Sequence, residues 1–178
     1  MKLALSALAA LAIAAAPALA EDTGFYGDVG YQFINIDEDG VEADLGSIVA
    51  HGGYKFSEFL AAEGELAFGI RDEDVAVGGT DVSVGLNYLV GAYGRVQAPL
   101  GEGFTVFARA GLVNAEVEAE ATGGGVTVSE SDSETGAGYG VGGEYHFNGV
   151  NGIRVDYTRY DIEDLEADAF TIAYSRKF

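Results

Sequence analysis

The sequence predicts an all-β fold, an eight-stranded antiparallel up-and-down β-barrel, on three observations. Apolar residues recur with a period of two through most of the chain from Gly24 onward. Turn-forming clusters interrupt that alternation at intervals, short and long by turns. No segment carries the 3.6-residue period of an amphipathic helix with comparable quality. The 178 residues fit one domain. With 27 Gly, two Pro and no Cys, neither a disulfide framework nor a thiolate metal site is open to the chain. Ten Tyr and ten Phe argue against disorder, despite a formal charge of −20. That charge repels phosphate backbones and excludes nucleic acid as a partner.

The first twenty residues are an address. Met1-Lys2 precedes an apolar run from Leu3 to Ala16, and Pro17-Ala-Leu-Ala20 leads into Glu21-Asp22. A positive start, a short hydrophobic stretch and an Ala-x-Ala end describe a cleaved secretory signal peptide over 1–20. The run is too short to cross a bilayer comfortably as a helix. The expected mature domain is 21–178, exported and without a helical anchor.

The eight strands follow in order. On the first, Phe25, Val29, Tyr31 and Phe33 oppose Asp28, Gly30 and Gln32. On the second, Ile48, Ala50, Tyr54 and Phe56 oppose Ser47, His51 and Lys55. The third sets Ala62, Leu66, Phe68 and Ile70 against Glu63 and Glu65. A longer fourth sets Val82, Val84, Leu86, Tyr88, Val90, Val96 and Ala98 against Ser83, Asn87, Arg95 and Gln97. The fifth opposes Val106, Ala108, Ala110 and Leu112 to Thr105, Arg109 and Gly111. In the sixth, Tyr139, Val141, Tyr145 and Phe147 face away from Gly138, Gly140, Gly142, Glu144 and His146. The seventh has Ile153, Val155 and Tyr157 opposite Arg154, Asp156 and Thr158. The eighth has Phe170, Ile172, Tyr174 and Phe178 opposite Thr171, Ala173, Ser175 and Lys177. Ser57–Leu60, Pro99–Gly103 and Asn148–Gly152 read as short turns. Asp37–Asp44, Arg71–Asp81, Asn114–Thr135 and Asp161–Asp168 read as long loops, and they hold most of the acids. Short turns at one end and long loops at the other are the layout of an up-and-down barrel.

Alternation alone does not say which face is outside, since a soluble calyx and a membrane barrel are inversions of each other. The polar face is rich in Gly and in both signs of charge, which suits a narrow interior. Tyr and Phe gather near strand ends on the apolar face, as in an interfacial girdle. The chain also closes on Phe178, with Tyr174, Ile172 and Phe170 in phase behind it. The expected fold is therefore a transmembrane barrel with its apolar face in lipid.

Four stretches carry a family resemblance: Phe59-Leu-Ala-Ala-Glu63-Gly, Tyr93-Gly-Arg95-Val-Gln-Ala-Pro-Leu, Val106-Phe-Ala-Arg109-Ala-Gly, and Gly143-Glu144-Tyr145 followed by Ile153-Arg154-Val-Asp156-Tyr157. With them the mature chain resembles the small eight-stranded outer-membrane barrels, notably the transmembrane domain of outer-membrane protein A. The resemblance implies the cell outer membrane of a Gram-negative envelope. It implies lipid and lipopolysaccharide as surroundings, with a C-terminal segment (Phe170, Ile172, Tyr174, Phe178) read by the outer-membrane assembly machinery. The peptidoglycan-binding domain of that protein has no counterpart in the sequence, so its role is not expected here.

Inside the cylinder, five acids (Asp28, Glu63, Glu65, Glu144, Asp156) face Lys55, Arg95, Arg109 and Arg154, with Lys177 near the lower rim. Isolated buried charges are prohibitive and paired ones tolerable. The expected interior charge network is therefore Glu63, Glu65, Lys55, Arg95, Arg109, Glu144, Arg154 and Asp156. The resemblance implies that the matched positions form an interior salt-bridge network that blocks a continuous water path. Catalysis is not expected, because neither His51 nor His146 shares a face with a Ser at the long-loop rim. Both read as packed interior histidines. No cofactor and no structural metal are expected, beyond loose cation binding by Asp37, Asp39 and Glu42. The expected function is a monomeric, plugged barrel serving envelope integrity or surface interaction. A narrow pore for ions or small solutes is the alternative, and a lipid A-modifying enzyme comes third.

Overall fold

The computed structural model describes residues 23–38, 41–71, 73–77, 80–123, 126–162 and 165–178. At the outer hairpin ends (37–38, 41–43, 73–77, 80–82, 84, 119–123, 126–130, 132 and 165) only the backbone path is described. The signal peptide expected over 1–20 lies outside these residues.

The strands are β1 (Gly24–Glu38), β2 (Val41–Lys55), β3 (Leu60–Arg71), β4 (Glu73–Val77), β5 (Thr80–Pro99), β6 (Phe104–Gly123), β7 (Val126–His146), β8 (Asn151–Ile162) and β9 (Leu165–Lys177). Antiparallel pairing runs in the order β3-β2-β1-β9-β8-β7-β6-β5-β4, and a β3–β5 pairing closes the ring. β4 takes up the position of β3 beyond Arg71, so the closed wall has eight strands. Chain ends meet within it: β1 pairs β9 from Tyr26↔Lys177 to Ile36↔Ala167. Closure leaves no open edge at membrane depth, the condition hydrocarbon imposes on a β-structure.

The short turns have local causes. Ser57 Oγ accepts from the Leu60 amide at 3.1 Å, and Asn148 Oδ1 accepts from the Val150 and Asn151 amides at 3.1 and 2.6 Å. Gly103 adopts φ +80°, where a Cβ would stand 2.5 Å from the His146 carbonyl oxygen.

At the other end the structure corrects the expected loops. β1–β2 pairing continues to Glu38↔Val41, β4–β5 to Val77↔Thr80, β6–β7 to Gly123↔Val126, and β8–β9 to Ile162↔Leu165. The long loops are hairpins that prolong the strands. Strands already aligned in register keep pairing when the next residues alternate, as Val126-Thr-Val-Ser do. Acids opposite one another, as at Asp161↔Glu166, weaken such pairing only modestly where water screens them.

A second correction concerns phase. The β5–β6 register shifts between Leu86 and Tyr88, leaving Asn87 exposed and extra. Leu86, expected on the outer face, is buried inside, whereas Val90 beyond the bulge faces out. One inserted residue reverses every side chain that follows it.

Elsewhere parity holds. Phe25, Val29, Phe33, Leu66, Phe68, Leu112, Val141, Ile153 and Ile172 are exposed on the outer wall. The interior is less uniform than its polar pattern suggests. An apolar cluster of Ile34, Leu45, Val49, Leu89, Val113 and Ala169, among others, fills the half toward the long hairpins. Charged residues occupy the half toward the short turns.

Candidate functional site in the barrel interior

Glu63 on β3 is the hub of the charged half. Its carboxylate accepts from Arg95 Nη1 (3.1 Å) and Arg109 Nη1 (3.0 Å), and from Arg154 Nη1 and Nη2 at 2.8 and 3.0 Å. The Tyr26 hydroxyl donates to it as well, at 2.8 Å. Three guanidinium groups from β5, β6 and β8 thus converge on one carboxylate, with all four side chains fully enclosed. Like charges crowd there only because other acids surround them. Arg95 Nη1 also donates to Glu144 at 2.7 Å, and Arg109 Nη1 meets Glu65 at 2.6 Å. Arg154 reaches Asp156 at 2.5 Å and Asp28 at 3.1 Å. Such a buried set is tolerable only when its charges balance and its lone pairs are filled.

His51 adds a fourth positive group to the three arginines, against five acids. Its Nδ1 lies 2.5 Å from Asp28 and its Nε2 3.0 Å from Glu65. Carboxylates only accept, so both ring nitrogens donate and the ring is an imidazolium. The histidine expected to pack in the interior is buried there, and it also bridges β1, β2 and β3. Neighbouring hydroxyls complete the set. Tyr160 donates to Glu65 at 2.6 Å, and Gln32 donates to Tyr160 at 2.8 Å.

Aromatic rings pack against the cations. The Arg95 guanidinium carbon stands 3.9 Å from the Phe107 ring centre and 5.1 Å from that of Tyr26. Arg154 takes another position against Phe107 at 4.7 Å, and Arg109 stacks on Tyr93 at 4.4 Å. Inward glycines make the space: a Cβ on Gly142 would fall 2.5 Å from Phe107 Cζ, and one on Gly53 2.2 Å from Tyr26 Cζ.

Seven of the eight interior residues named from sequence therefore meet: Glu63, Glu65, Arg95, Arg109, Glu144, Arg154 and Asp156. Lys55 lies at the short-turn mouth, its ammonium 5.8 Å from the Tyr26 ring. Asp28, expected among the inward acids, and His51, expected as an interior histidine, join the network, and Phe107, Tyr26, Tyr93 and Tyr160 join it without a sequence expectation. Their signal was inward parity: each lies on the polar face of its strand, where an aromatic or a histidine needs a partner. Phe170, Ile172, Tyr174 and Phe178 lie exposed along the outer side of β9 and the residue after it. The side chains of Asp37, Asp39 and Glu42 fall outside the described part of the structure.

A second histidine contact lies at the mouth, where His146 Nε2 is 3.4 Å from Ser175 Oγ. Its Nδ1 meets no acid among the described residues, and Ser175 is fully buried. A nucleophile needs both an oriented base and access to substrate. No group of three or more His, Cys, Asp or Glu among the described residues is arranged around a metal position.

The model of the outer membrane protein beta-barrel domain matches residues 6–178. The chain belongs to that family. It is a β-barrel protein of the cell outer membrane. A comparison with curated protein sequences finds no match. Among solved structures, the barrel is similar to Ail, the attachment invasion locus protein of Yersinia pestis, crystallised with the heparin analogue sucrose octasulfate. That match has 19% identity and a TM-score of 0.66, over 88% of this chain and 99% of Ail. Neisserial surface protein A is similar at 16% identity and TM-score 0.65, over 87% of this chain and 97% of its own. OprG of Pseudomonas aeruginosa follows at 13% and 0.60, over 88% and 97%. At these identities the likeness is one of fold.

Proposed function

We propose that this barrel is a plugged, non-catalytic, monomeric element of the outer membrane, contributing to envelope integrity or to surface interaction through its acidic hairpins. The observation that carries this reading is the Glu63 hub, three arginines and a tyrosine closing on one enclosed carboxylate. The apolar cluster above it supports the same reading, because ions crossing it would leave water behind. Single-channel recording of the folded protein in a planar bilayer tests it. A silent membrane is expected, and sustained discrete openings would establish the narrow-pore alternative.

Further parts of the proposal have their own supports. Residues 1–20 act as a cleaved export signal, on the pattern of Lys2, the apolar run and Ala18-Leu-Ala20. Phe170, Ile172, Tyr174 and Phe178 form the strip offered to the assembly machinery, on their outward exposure. The hairpins carry a concentration of carboxylates on the outer rim, including Glu116, Glu118, Glu134 and Asp161. Ail was crystallised with a polyanion; these hairpins repel one, so the surface partner proposed here is cationic. Divalent cations bridging to lipopolysaccharide phosphates satisfy that chemistry.

A further inference from the structure

We propose that the short-turn mouth of the barrel binds a phosphate group between the Nε–Nη2 edge of Arg95 and the ammonium groups of Lys55 and Lys177. The planar guanidinium of Arg95 uses one nitrogen, Nη1, for both Glu63 and Glu144. Its opposite edge, Nε with Nη2, points away from the hub and has no hydrogen-bond partner. Phe107 and Tyr26 stack against the same guanidinium and hold its plane. Two parallel N–H groups on a fixed plane are the geometry that takes an oxyanion in bidentate fashion.

The surroundings fit the same ligand. Lys55 pairs with Ala61 across one strand boundary and Ala61 with Arg95 across the next, so both cations share a row with only a methyl between them. Cavities of about 160 and 70 Å³ open at this end, and Lys55 and Lys177 line both. The remaining unpartnered buried side-chain atoms among the described residues, Gln97 Oε1 and His146 Nδ1, belong to this mouth too. Arg95 is 1% exposed, His146 4% and Gln97 7%, so water does not satisfy them from outside. With Nε2 against the Ser175 hydroxyl, His146 can turn an Nδ1–H toward an anion. Two acids stand near these cations: Glu58 lines the smaller cavity with Lys55 and Lys177, and Glu144 lies against Arg95.

Two sources offer this chemistry. Short turns face the periplasm in this class of barrel, which admits inorganic phosphate. The larger cavity is also bounded by Phe25 and Phe178 of the outer wall, within reach of a phospholipid headgroup. Gln97 Oε1 separates the two, since it accepts only from a phosphate that still carries an O–H.

The test uses the full folded chain in a phosphate-free detergent at constant pH. The two histidines give separate imidazole NMR signals, His146 at the mouth and His51 in the enclosed network. Inorganic phosphate is expected to move the His146 signal saturably and leave His51 in place, with chloride at equal ionic strength without effect. The Lys55→Gln/Lys177→Gln double variant, checked as folded by its gel mobility before and after heating, is expected to weaken the response by about tenfold, as loss of charge-assisted contacts requires. A short-chain phosphatidylglycerol is titrated in parallel, and saturation by it alone assigns the site to the lipid. A response equal in chloride, insensitive to both lysines, or absent with both phosphates overturns the proposal.

Discussion

The ring of Phe107 lies 3.9 Å from the guanidinium carbon of Arg95, inside a barrel whose polar face reads from sequence as charge and glycine. The ring fills the space that Gly142 leaves open and also packs against Arg154, 4.7 Å away. Phe107→Leu keeps the volume roughly constant and removes the π-face. It is expected to lower stability by about 1–2 kcal/mol, the worth of desolvated cation–π contacts. Urea unfolding in lipid vesicles measures this, with Phe68→Leu on the lipid-facing wall as the unaffected control.

Glu63 is the most connected acid in the interior, and its removal strands three arginines. Glu63→Ala is expected to cost at least the roughly 3–5 kcal/mol of a broken buried pair, and Glu144→Ala about that amount. Both are read from the temperature at which the compact gel band gives way to the unfolded one. An unchanged transition in Glu63→Ala would remove the hub from any account of stability.

Inward and outward glycines are expected to respond differently to one added methyl. At Gly142 the Cβ would meet Phe107 Cζ and Asp156 Cβ, each at 2.5 Å, whereas at Gly52 nothing lies within 4 Å. Gly142→Ala is expected to slow refolding and cost about 1–3 kcal/mol through overpacking. Gly52→Ala should match the parent in both refolding yield and unfolding midpoint.

The bulge at Asn87 makes a topographic prediction. The chain has no Cys, so a single introduced thiol reports its own surroundings. Val90→Cys is expected to react with a lipid-dissolved maleimide, and Leu86→Cys to resist it, because Leu86 is 7% exposed and Val90 45%. Equal labelling at both sites would mean that the register shift is absent in the bilayer.

How far the sequence reached can be followed in particular residues. Parity put Glu63, Glu65, Arg95, Arg109, Glu144 and Arg154 on one face of their strands, because alternation is a property of neighbours in the chain. It could not say that Glu63 would take Arg154, 91 residues away, since that depends on the stagger with which the ring closes. Leu86 defeated parity outright, as one extra residue in a ladder leaves no mark in hydropathy. The acidic segments were misjudged for a related reason. High charge density reads as loop, but here the ladder continues through Asp37↔Glu42 and Asp161↔Glu166, where water screens the opposed acids.

By itself, then, the sequence determined the strand period, the closed wall it demands in lipid, and the segregation of apolar surface outside from charge inside. Those follow from the spacing of side chains along one strand. Only the tertiary structure decided that His51 bridges Asp28 and Glu65, that Phe107 packs against two guanidiniums, and that an apolar layer stands over the charged one. Each joins residues from strands far apart in sequence, and register around the closed ring, unlike alternation, is summed over every strand between them.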